Sequence, residues 1–173
     1  MKRIHLHLIG FMGTGKSEVG RVLARRLNLP FMDADRAIER RARKTVAEIF
    51  RTQGEAKFRE LERGLAAGLA AAVPRVIAWG GGAWLKSANR RNIIDSGTVV
   101  LLTCAEGELW KRLEPEVPIR PLLAGAAPKD NFRKLLKKRT GAYKGADMTV
   151  STTHNNPDEI ARAILKRLGV KTR

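Results

Sequence analysis

Two periodicities of hydrophobic and polar residues alternate along the chain. Short apolar runs are separated by longer segments in which apolar residues recur every three or four positions, as Val19, Val22 and Leu23 do. Because the two patterns alternate, they predict an α/β fold in which helices surround a parallel sheet. The short runs predict strands at residues 4–9, 30–32, 76–79, 98–103 and 148–150. The longer segments predict helices at residues 16–27, 36–43, 46–51, 54–72, 87–96, 106–113, 130–143 and 157–168.

A glycine-rich segment joins the first predicted strand to the first predicted helix. Residues 10–17 read GFMGTGKS, with two glycines five positions apart before Lys16 and Ser17. A loop between a strand and a helix N-terminus can direct backbone N–H groups and the helix dipole at a phosphate. In such a loop the lysine reaches the β- and γ-phosphates, and the serine hydroxyl can ligate Mg²⁺. The segment therefore predicts a nucleotide-binding phosphate loop.

Length and composition indicate one soluble globular domain. The chain has 173 residues, of which 43% are hydrophobic and 29% charged, and we assign residues 1–173 to a single domain. No apolar stretch approaches the ~18 residues of a membrane span, and the basic N-terminus does not read as a signal peptide. The single cysteine, Cys104, excludes an internal disulfide and is expected to be a buried thiol. This cysteine usage predicts a cytoplasmic protein.

The net charge of +17, from 34 basic and 17 acidic residues, is large for this length. It favours anionic ligands and leaves open a weak, nonspecific affinity for nucleic acid or another polyanion. A solvated basic shell is the alternative, because cations such as Lys134, Lys137 and Lys138 fall on helix faces. Zinc-finger spacing and aromatic stacking motifs are both missing from the sequence. We expect a monomer with no obligate protein partner and no membrane association.

Candidate acceptor-side residues follow the second and third predicted strands. Asp33 and Asp35 lie where the sheet edge binds ligands, and residues two apart in an extended chain point the same way. One carboxylate could help hold Mg²⁺ while the other accepts a hydrogen bond from a substrate hydroxyl. The alternative is an aspartate pair that caps the next helix. Three glycines at residues 80–82 end the third strand, where they form a tight turn or let the backbone approach a ligand.

Two further segments carry arginines with candidate roles. Arg59 and Glu62 are three residues apart on the long predicted helix and share a face. Glu62 can therefore hold the Arg59 guanidinium while the forked N–H groups of that guanidinium face the carboxylate of a ligand. An ordinary surface ion pair is the alternative. Residues 114–129 contain four prolines around Arg120, which excludes a regular helix and predicts a loop that acts as a mobile lid. His5 and His7 face one side of the first strand, but no third metal ligand lies near them in the sequence.

Seven segments together resemble the shikimate kinase family, in order and over nearly the whole chain. They are residues 10–17; residues 31–35 with Ile38 and Glu39; residues 48–50; Gly54 and Glu55 with Phe58, Arg59 and Glu62; residues 80–82; residues 120–123; and Arg139 with Tyr143 and Ala146. The resemblance implies a three-layer α/β/α P-loop kinase fold with a five-stranded parallel sheet in the order 2-3-1-4-5. It also implies a substrate-binding region at about residues 33–62 and a mobile lid at about residues 114–129.

The resemblance implies ATP-dependent phosphorylation of the 3-hydroxyl of shikimate, in the biosynthesis of chorismate and aromatic amino acids. Lys16, Asp33, Asp35 and Arg120 would be catalytic, and Ser17 and Asp33 would hold Mg²⁺. The nucleotide would contact Gly13, Thr14, Gly15, Lys16, Ser17, Glu18, Arg112 and Arg120. Shikimate would contact Asp35, Arg59, Gly81, Gly82 and Arg139, with the two arginines on its carboxylate.

Two alternatives and three departures from the family pattern accompany this hypothesis. The alternatives are a related small-molecule kinase, such as a gluconate kinase, and a non-catalytic P-loop module that binds an anionic partner or nucleic acid. Glu18 stands where the family usually has Thr, and Trp79 stands where a smaller residue is usual. The lid also lacks a second arginine that the family often carries shortly before the RPLL stretch.

Overall fold

The computed structural model describes residues 5–170 and contains one parallel sheet between helical layers. The strands are β1 (His5–Ile9), β2 (Phe31–Asp33), β3 (Val76–Ala78), β4 (Gly97–Thr103) and β5 (Met148–Ser151), in the order β2-β3-β1-β4-β5. The helices are α1 (Lys16–Leu27), α2 (Ala34–Ala42), α3 (Val46–Ala67), α4 (Ser87–Ser96), α5 (Glu106–Leu113), α6 (Pro128–Thr140) and α7 (Pro157–Arg167). Short 3₁₀ helices cover Gly68–Ala71, Ala83–Leu85 and Glu114–Ile119. The predicted α/β class and strand order are confirmed.

The central strand β1 shows why the chain forms three layers. Its side chains are buried on both faces of the sheet, as expected for a parallel strand covered by helices. Leu6 and Leu8 pack into a core shared with α1 and α7. Ile9 packs into a second core shared with α3, α4, α5 and α6. A third, smaller cluster of Ile38, Ile49 and Phe58 joins α2 to α3 outside the sheet.

Several predicted boundaries shift for identifiable reasons. The first predicted strand begins at residue 4, which lies outside the described residues. Helix α2 begins at Ala34, two residues earlier than predicted, because the Asp33 side chain accepts from the Arg36 N–H and caps it. The predicted helices 46–51 and 54–72 meet without a loop as α3, in which Gly54, the first residue of the second predicted helix, has a non-helical conformation (φ 80°, ψ 168°). Two sequence predictions need correction. The segment 114–129 is not wholly irregular, since it opens with a 3₁₀ helix, and Cys104 is only partly buried.

No helix in residues 5–170 is long and apolar enough to cross a membrane.

Candidate active site

The phosphate loop joins β1 to α1 and holds its lysine in place through backbone carbonyls. Gly13 and Gly15 adopt positive φ angles of 77° and 80°, which let the loop curl at the helix N-terminus. Lys16 Nζ donates to the carbonyl oxygens of Gly10 (3.1 Å) and Phe11 (2.7 Å). Burial lowers the pKa of Lys16 to about 8. A phosphate bound in this loop would add negative charge beside the ammonium and favour its protonated form.

Thr14 supports the loop from within. Its side chain is buried, and Thr14 Oγ1 donates to the Phe11 carbonyl at 2.8 Å. Thr14 therefore braces the loop with its hydroxyl, and it is the one candidate nucleotide contact that does not line the cavity described below. A contact from Thr14 to nucleotide would be made by its backbone.

Ser17 and Asp33 form the candidate metal site. Ser17 Oγ donates to Asp33 Oδ2 at 2.6 Å, and Asp33 Oδ1 accepts from the Arg36 N–H at 3.2 Å. One carboxylate thus both caps α2 and faces the phosphate loop, so the two readings of Asp33 are compatible. Hydroxyl and carboxylate oxygens are ligands that Mg²⁺ prefers, and this pair fits such an ion. Among residues 5–170, no cluster of three or more His, Cys, Asp or Glu side chains could hold a metal alone. Phosphate and water oxygens would therefore have to complete the coordination.

Asp35, a candidate substrate contact, has one carboxylate oxygen without a partner in the part of the chain that the structure describes. Asp35 Oδ1 is buried and has no hydrogen-bond partner among the described residues. Burial and the neighbouring Asp33 carboxylate raise the pKa of Asp35. A Cβ atom at Gly80 would lie 2.5 Å from Asp35 Oδ1, so glycine is required there for the carboxylate to occupy its position. A buried acceptor without a donor is suited to bind a substrate hydroxyl.

Arg59 is held by two carboxylates on α3. Arg59 Nη1 donates to both oxygens of Glu62 (3.0 and 3.2 Å), and Arg59 Nη2 donates to Glu55 Oε1 (2.9 Å). Glu62 is fully buried, so the alternative of an ordinary surface ion pair is wrong. Burial raises the pKa of Glu62 to about 7 although Arg59 acts to lower it. Asn89 Nδ2, from α4, also approaches Glu62 Oε2 at 3.5 Å.

Arg139 approaches the same glycine turn (residues 80–82) from α6. It is only 5% exposed and forms no ion pair within residues 5–170, and burial lowers its pKa. Helix α6 ends at Thr140, three residues before the predicted end, and Tyr143 Oη from the segment after it donates to the Gly81 carbonyl at 2.6 Å. A Cβ at Gly81 would lie 3.1 Å from Arg139 Nη1, and one at Gly82 would lie 2.6 Å from Arg59 Nη2. Each glycine of the turn therefore makes room for one functional side chain.

The remaining candidate nucleotide contacts are Arg112, Glu18 and Arg120. Arg112 Nη1 donates to the Gly13 carbonyl (3.4 Å) and Arg112 Nη2 to the Thr152 carbonyl (3.1 Å), which ties the phosphate loop to the segment after β5. Glu18 is exposed and forms an ion pair with Arg21 on α1. Arg120 Nε donates to Glu116 Oε2 at 2.7 Å, so the predicted lid arginine is paired within its own segment.

One cavity of about 840 Å³ joins these groups. It is lined by the phosphate loop, both aspartates, Arg59, the glycine turn and Arg139, together with Arg112, Glu116 and Arg120 from α5 and the lid segment. A larger cleft of about 1080 Å³ between α1 and α7 contains none of these groups except Glu18. No sequence pattern assigns a role to Glu116 or Tyr143, although each stands four positions from a candidate arginine. The buried contact of Asn89 has no sequence signal.

The strand order and the phosphate loop after β1 define the class as a P-loop kinase fold. A sequence model of the shikimate kinase family matches residues 12–169. The chain belongs to the shikimate kinase family.

Individual relatives agree with that assignment. A shikimate kinase from Cereibacter sphaeroides is 39% identical over 164 residues, which cover 95% of this chain and 82% of the relative. One from Thermodesulfovibrio yellowstonii is 36% identical over 92% of this chain and 91% of its own length.

Similarity to solved structures is higher for a shikimate kinase than for another kinase of the same fold. The structure of a shikimate kinase from Acinetobacter baumannii in complex with shikimate matches with a TM-score of 0.90 at 34% identity, over 96% of this chain and 94% of that one. A gluconokinase from Sinorhizobium meliloti matches with a TM-score of 0.60 at 20% identity, over 96% and 94% of the two chains. The gluconokinase thus shares the fold alone.

Proposed function

We propose that the protein transfers the γ-phosphoryl group of ATP to the 3-hydroxyl of shikimate and forms shikimate 3-phosphate. The observation that carries the proposal is the single cavity that joins a phosphate loop to a carboxylate and two guanidinium groups at one glycine turn. Phosphoryl transfer depends on positioning and charge neutralisation, and the cavity offers both. The Acinetobacter baumannii relative is described in complex with shikimate, which supports the same acceptor here.

The nucleotide side would bind ATP through the phosphate loop. Backbone N–H groups of Gly13, Gly15 and their neighbours would surround the phosphates, and Lys16 would lie against the β- and γ-phosphates. Ser17 and Asp33 would hold Mg²⁺, which when bound neutralises phosphate charge. Arg112 would lie near the adenine. Glu18 would sit at the mouth of the loop, where its charge opposes the anionic nucleotide.

The acceptor side would bind both the carboxylate and the reacting hydroxyl of a carboxylated polyol. Arg59 and Arg139 would bind the carboxylate, because both guanidinium groups approach the same turn and are largely shielded from water. Asp35 would accept a hydrogen bond from the reacting hydroxyl. Its raised pKa makes it a stronger base than an exposed aspartate, which suits the removal of the hydroxyl proton during transfer. Gly81 and Gly82 would contact the substrate by their backbones.

We assign residues 1–173 to one domain, with residues 33–62 as the substrate-binding region and residues 114–129 as a mobile lid. Closure would bring Arg120 onto the phosphates, where it would exchange its contact with Glu116 for one with ATP. We further propose a cytoplasmic monomer with ATP and shikimate as its small-molecule partners. Its charge of +17 would add at most weak, nonspecific binding of polyanions.

A coupled ADP-release assay tests the proposal. ADP should form with ATP, Mg²⁺ and shikimate, but not with gluconate or without an acceptor. Asp35→Asn is the matched control, because it keeps the size of the side chain but removes the base. Faster ADP release with gluconate would favour the related sugar-acid kinase. No acceptor-dependent release from a folded protein that binds ATP would favour a non-catalytic module.

A further inference from the structure

Strand β1 places two histidines in the hydrophobic core. His5 and His7 are 2% and 0% exposed, and their ring centroids lie 5.6 Å apart. Within residues 5–170 they belong to no metal-binding cluster. Both nitrogens of each ring are instead engaged in contacts within the protein. Buried polar groups of this kind are tolerated because they are satisfied, and their partners indicate what they hold in place.

The contacts of His7 form a chain of hydrogen bonds in which each donor and acceptor can be assigned. Trp79 Nε1 can only donate, and it lies 3.1 Å from His7 Nδ1, which must therefore accept. In the neutral ring the proton is then on Nε2, which donates to Ser96 Oγ at 3.1 Å. Ser96 Oγ in turn donates to the Ile93 carbonyl at 3.1 Å. Burial and the nearby His5 lower the pKa of His7 to about 3, so the ring stays neutral.

Trp79 is the residue directly before the glycine turn. Its backbone N–H donates to the Leu8 carbonyl at 3.0 Å, and its indole is 1% exposed. The turn that follows packs against Asp35, Arg139 and Arg59 at its three successive residues. Tyr143 fixes the middle of the turn through the Gly81 carbonyl. The His7 contact therefore anchors the beginning of a segment that touches every acceptor-side group.

We propose that His7 is a positioning residue for the acceptor pocket. Its Nδ1 atom holds the Trp79 indole, and the indole sets the path of the glycine turn against the groups that bind the substrate. The inference rests on the proposed function, because it assigns His7 to the shikimate side of that reaction. A shift of the turn would misplace Asp35 and both arginines while leaving the phosphate loop unchanged.

His5 provides a matched control on the same strand. Its ring is equally buried and is engaged at the same two atoms, since Nδ1 accepts from the Arg75 N–H (3.2 Å) and Nε2 contacts the Leu69 carbonyl (3.1 Å). Both partners precede β3 and lie away from the glycine turn. Replacement of His5 therefore disturbs the core in a similar way without removing a hydrogen bond to Trp79.

The test compares steady-state constants of His7→Leu, Trp79→Phe and His5→Leu. We expect His7→Leu and Trp79→Phe to raise KM for shikimate about tenfold, within the range of up to ~100-fold that remote misplacement can cost. KM for ATP should stay within about twofold. His5→Leu should change neither constant, although thermal unfolding should show a loss of stability similar to that of His7→Leu.

Two further variants keep the test decisive. His7→Asn retains an acceptor near the position of Nδ1 and should restore much of the shikimate KM, and the double variant His7→Leu/Trp79→Phe should add little to either single change. If His7→Leu does not fold, Trp79→Phe and His7→Asn carry the comparison. An unchanged KM for shikimate in Trp79→Phe, or equal rises of that KM in His5→Leu and His7→Leu, would overturn this inference but leave the proposed function standing. A wild-type protein inactive with shikimate would overturn the proposed function and the inference together.

Discussion

Arg59 and Arg120 are both paired with glutamates, but in opposite surroundings. The side chain of Arg59 is 15% exposed and is held by Glu62, which is fully buried. The side chain of Arg120 is 32% exposed and is held by Glu116, which is 44% exposed and belongs to the same lid segment. The first pair lies within α3 with its glutamate in the core, whereas the second lies within one short 3₁₀ helix and the residue after it.

This difference indicates that the part of the pocket around Arg59 is formed before the ligand binds, whereas the part around Arg120 is completed by the ligand. Removing either member of the Arg59–Glu62 pair leaves a charge in the interior, so the pair stays together with or without substrate. The Arg120–Glu116 pair is partly exposed to water, where an ion pair contributes little and can be exchanged for phosphate oxygens. Acceptor binding should therefore be preorganised, and nucleotide binding should be coupled to movement of the lid.

The largest expected effect is that of Arg59→Ala. Loss of this desolvated contact should reduce kcat/KM for shikimate by the equivalent of about 2–5 kcal/mol, because the carboxylate loses its charged donor. ATP affinity, measured by calorimetry, should not change. Arg63→Ala is the control, since Arg63 is an exposed cation one turn further along α3. Equal losses of ATP and shikimate binding would mean that Arg59 only supports the helix.

Arg120→Ala should act on turnover. A lid arginine that meets the phosphates only on closure stabilises a late state, so kcat should fall by the equivalent of about 1.5–3 kcal/mol. Shikimate binding without nucleotide should be unaffected. Lys129→Ala, at the other end of the lid segment, should leave turnover intact. Normal turnover of Arg120→Ala would reduce residues 114–129 to a connector.

Replacing Glu62 or Glu116 by glutamine should change ligand affinity in opposite directions. Glu62→Gln removes the charge that holds Arg59 and should weaken shikimate binding by about 1–3 kcal/mol, with little effect on ATP. Fluorescence titration in the absence of nucleotide measures this directly. Unaltered shikimate affinity would show that Glu55 alone can orient the guanidinium.

Glu116→Gln should have the smallest effect, in the opposite direction. It removes the carboxylate that competes with ATP for Arg120, so ATP should bind more tightly, by no more than the ~1 kcal/mol typical of an exposed ion pair. Glu114→Gln, on the same 3₁₀ helix and without a pair to Arg120, is the control. Weaker ATP binding in Glu116→Gln would indicate that the glutamate orients the arginine toward the nucleotide.

Much of the site follows from the sequence because its parts are local. The phosphate loop lies between a strand and a helix, and Arg59 and Glu62 are three residues apart, so spacing alone brings these groups together. The burial of Glu62 was not predictable, because α4 covers it from 27 residues away. The contact between His7 and Trp79 spans 72 residues and depends on the register of β1 with β3.

A different effect limits how accurately the sequence predicts helix boundaries. The sequence predicts a gap at residues 52–53 and a second helix that begins at Gly54, whereas the two helices continue directly into each other and the non-helical residue is Gly54 itself. The sequence does not predict the 3₁₀ helix at Glu114–Ile119, because prolines exclude an α-helix yet are tolerated in this short 3₁₀ segment. Such outcomes depend on local hydrogen-bond geometry, which periodicity does not resolve.

The neutral state of His7 also couples folding to proton uptake. The pKa of His7 is about 3 in the folded protein against 6.5 for an ordinary histidine, so the unfolded chain binds an additional proton between these values. The free energy of unfolding should therefore fall as the pH is lowered through this window, by up to several kcal/mol. Glu62 acts oppositely between pH 4.5 and about 7, since its pKa is raised.

Urea unfolding of the wild type and of His7→Leu at pH 7, 6, 5 and 4 isolates the histidine. The difference in unfolding free energy between the two should shrink steadily on acidification, because only the wild type takes up this proton. A constant difference would mean that His7 titrates alike in both states. The imidazole that we propose aligns the acceptor turn would thus also help to set how acidic a solution the folded enzyme can withstand.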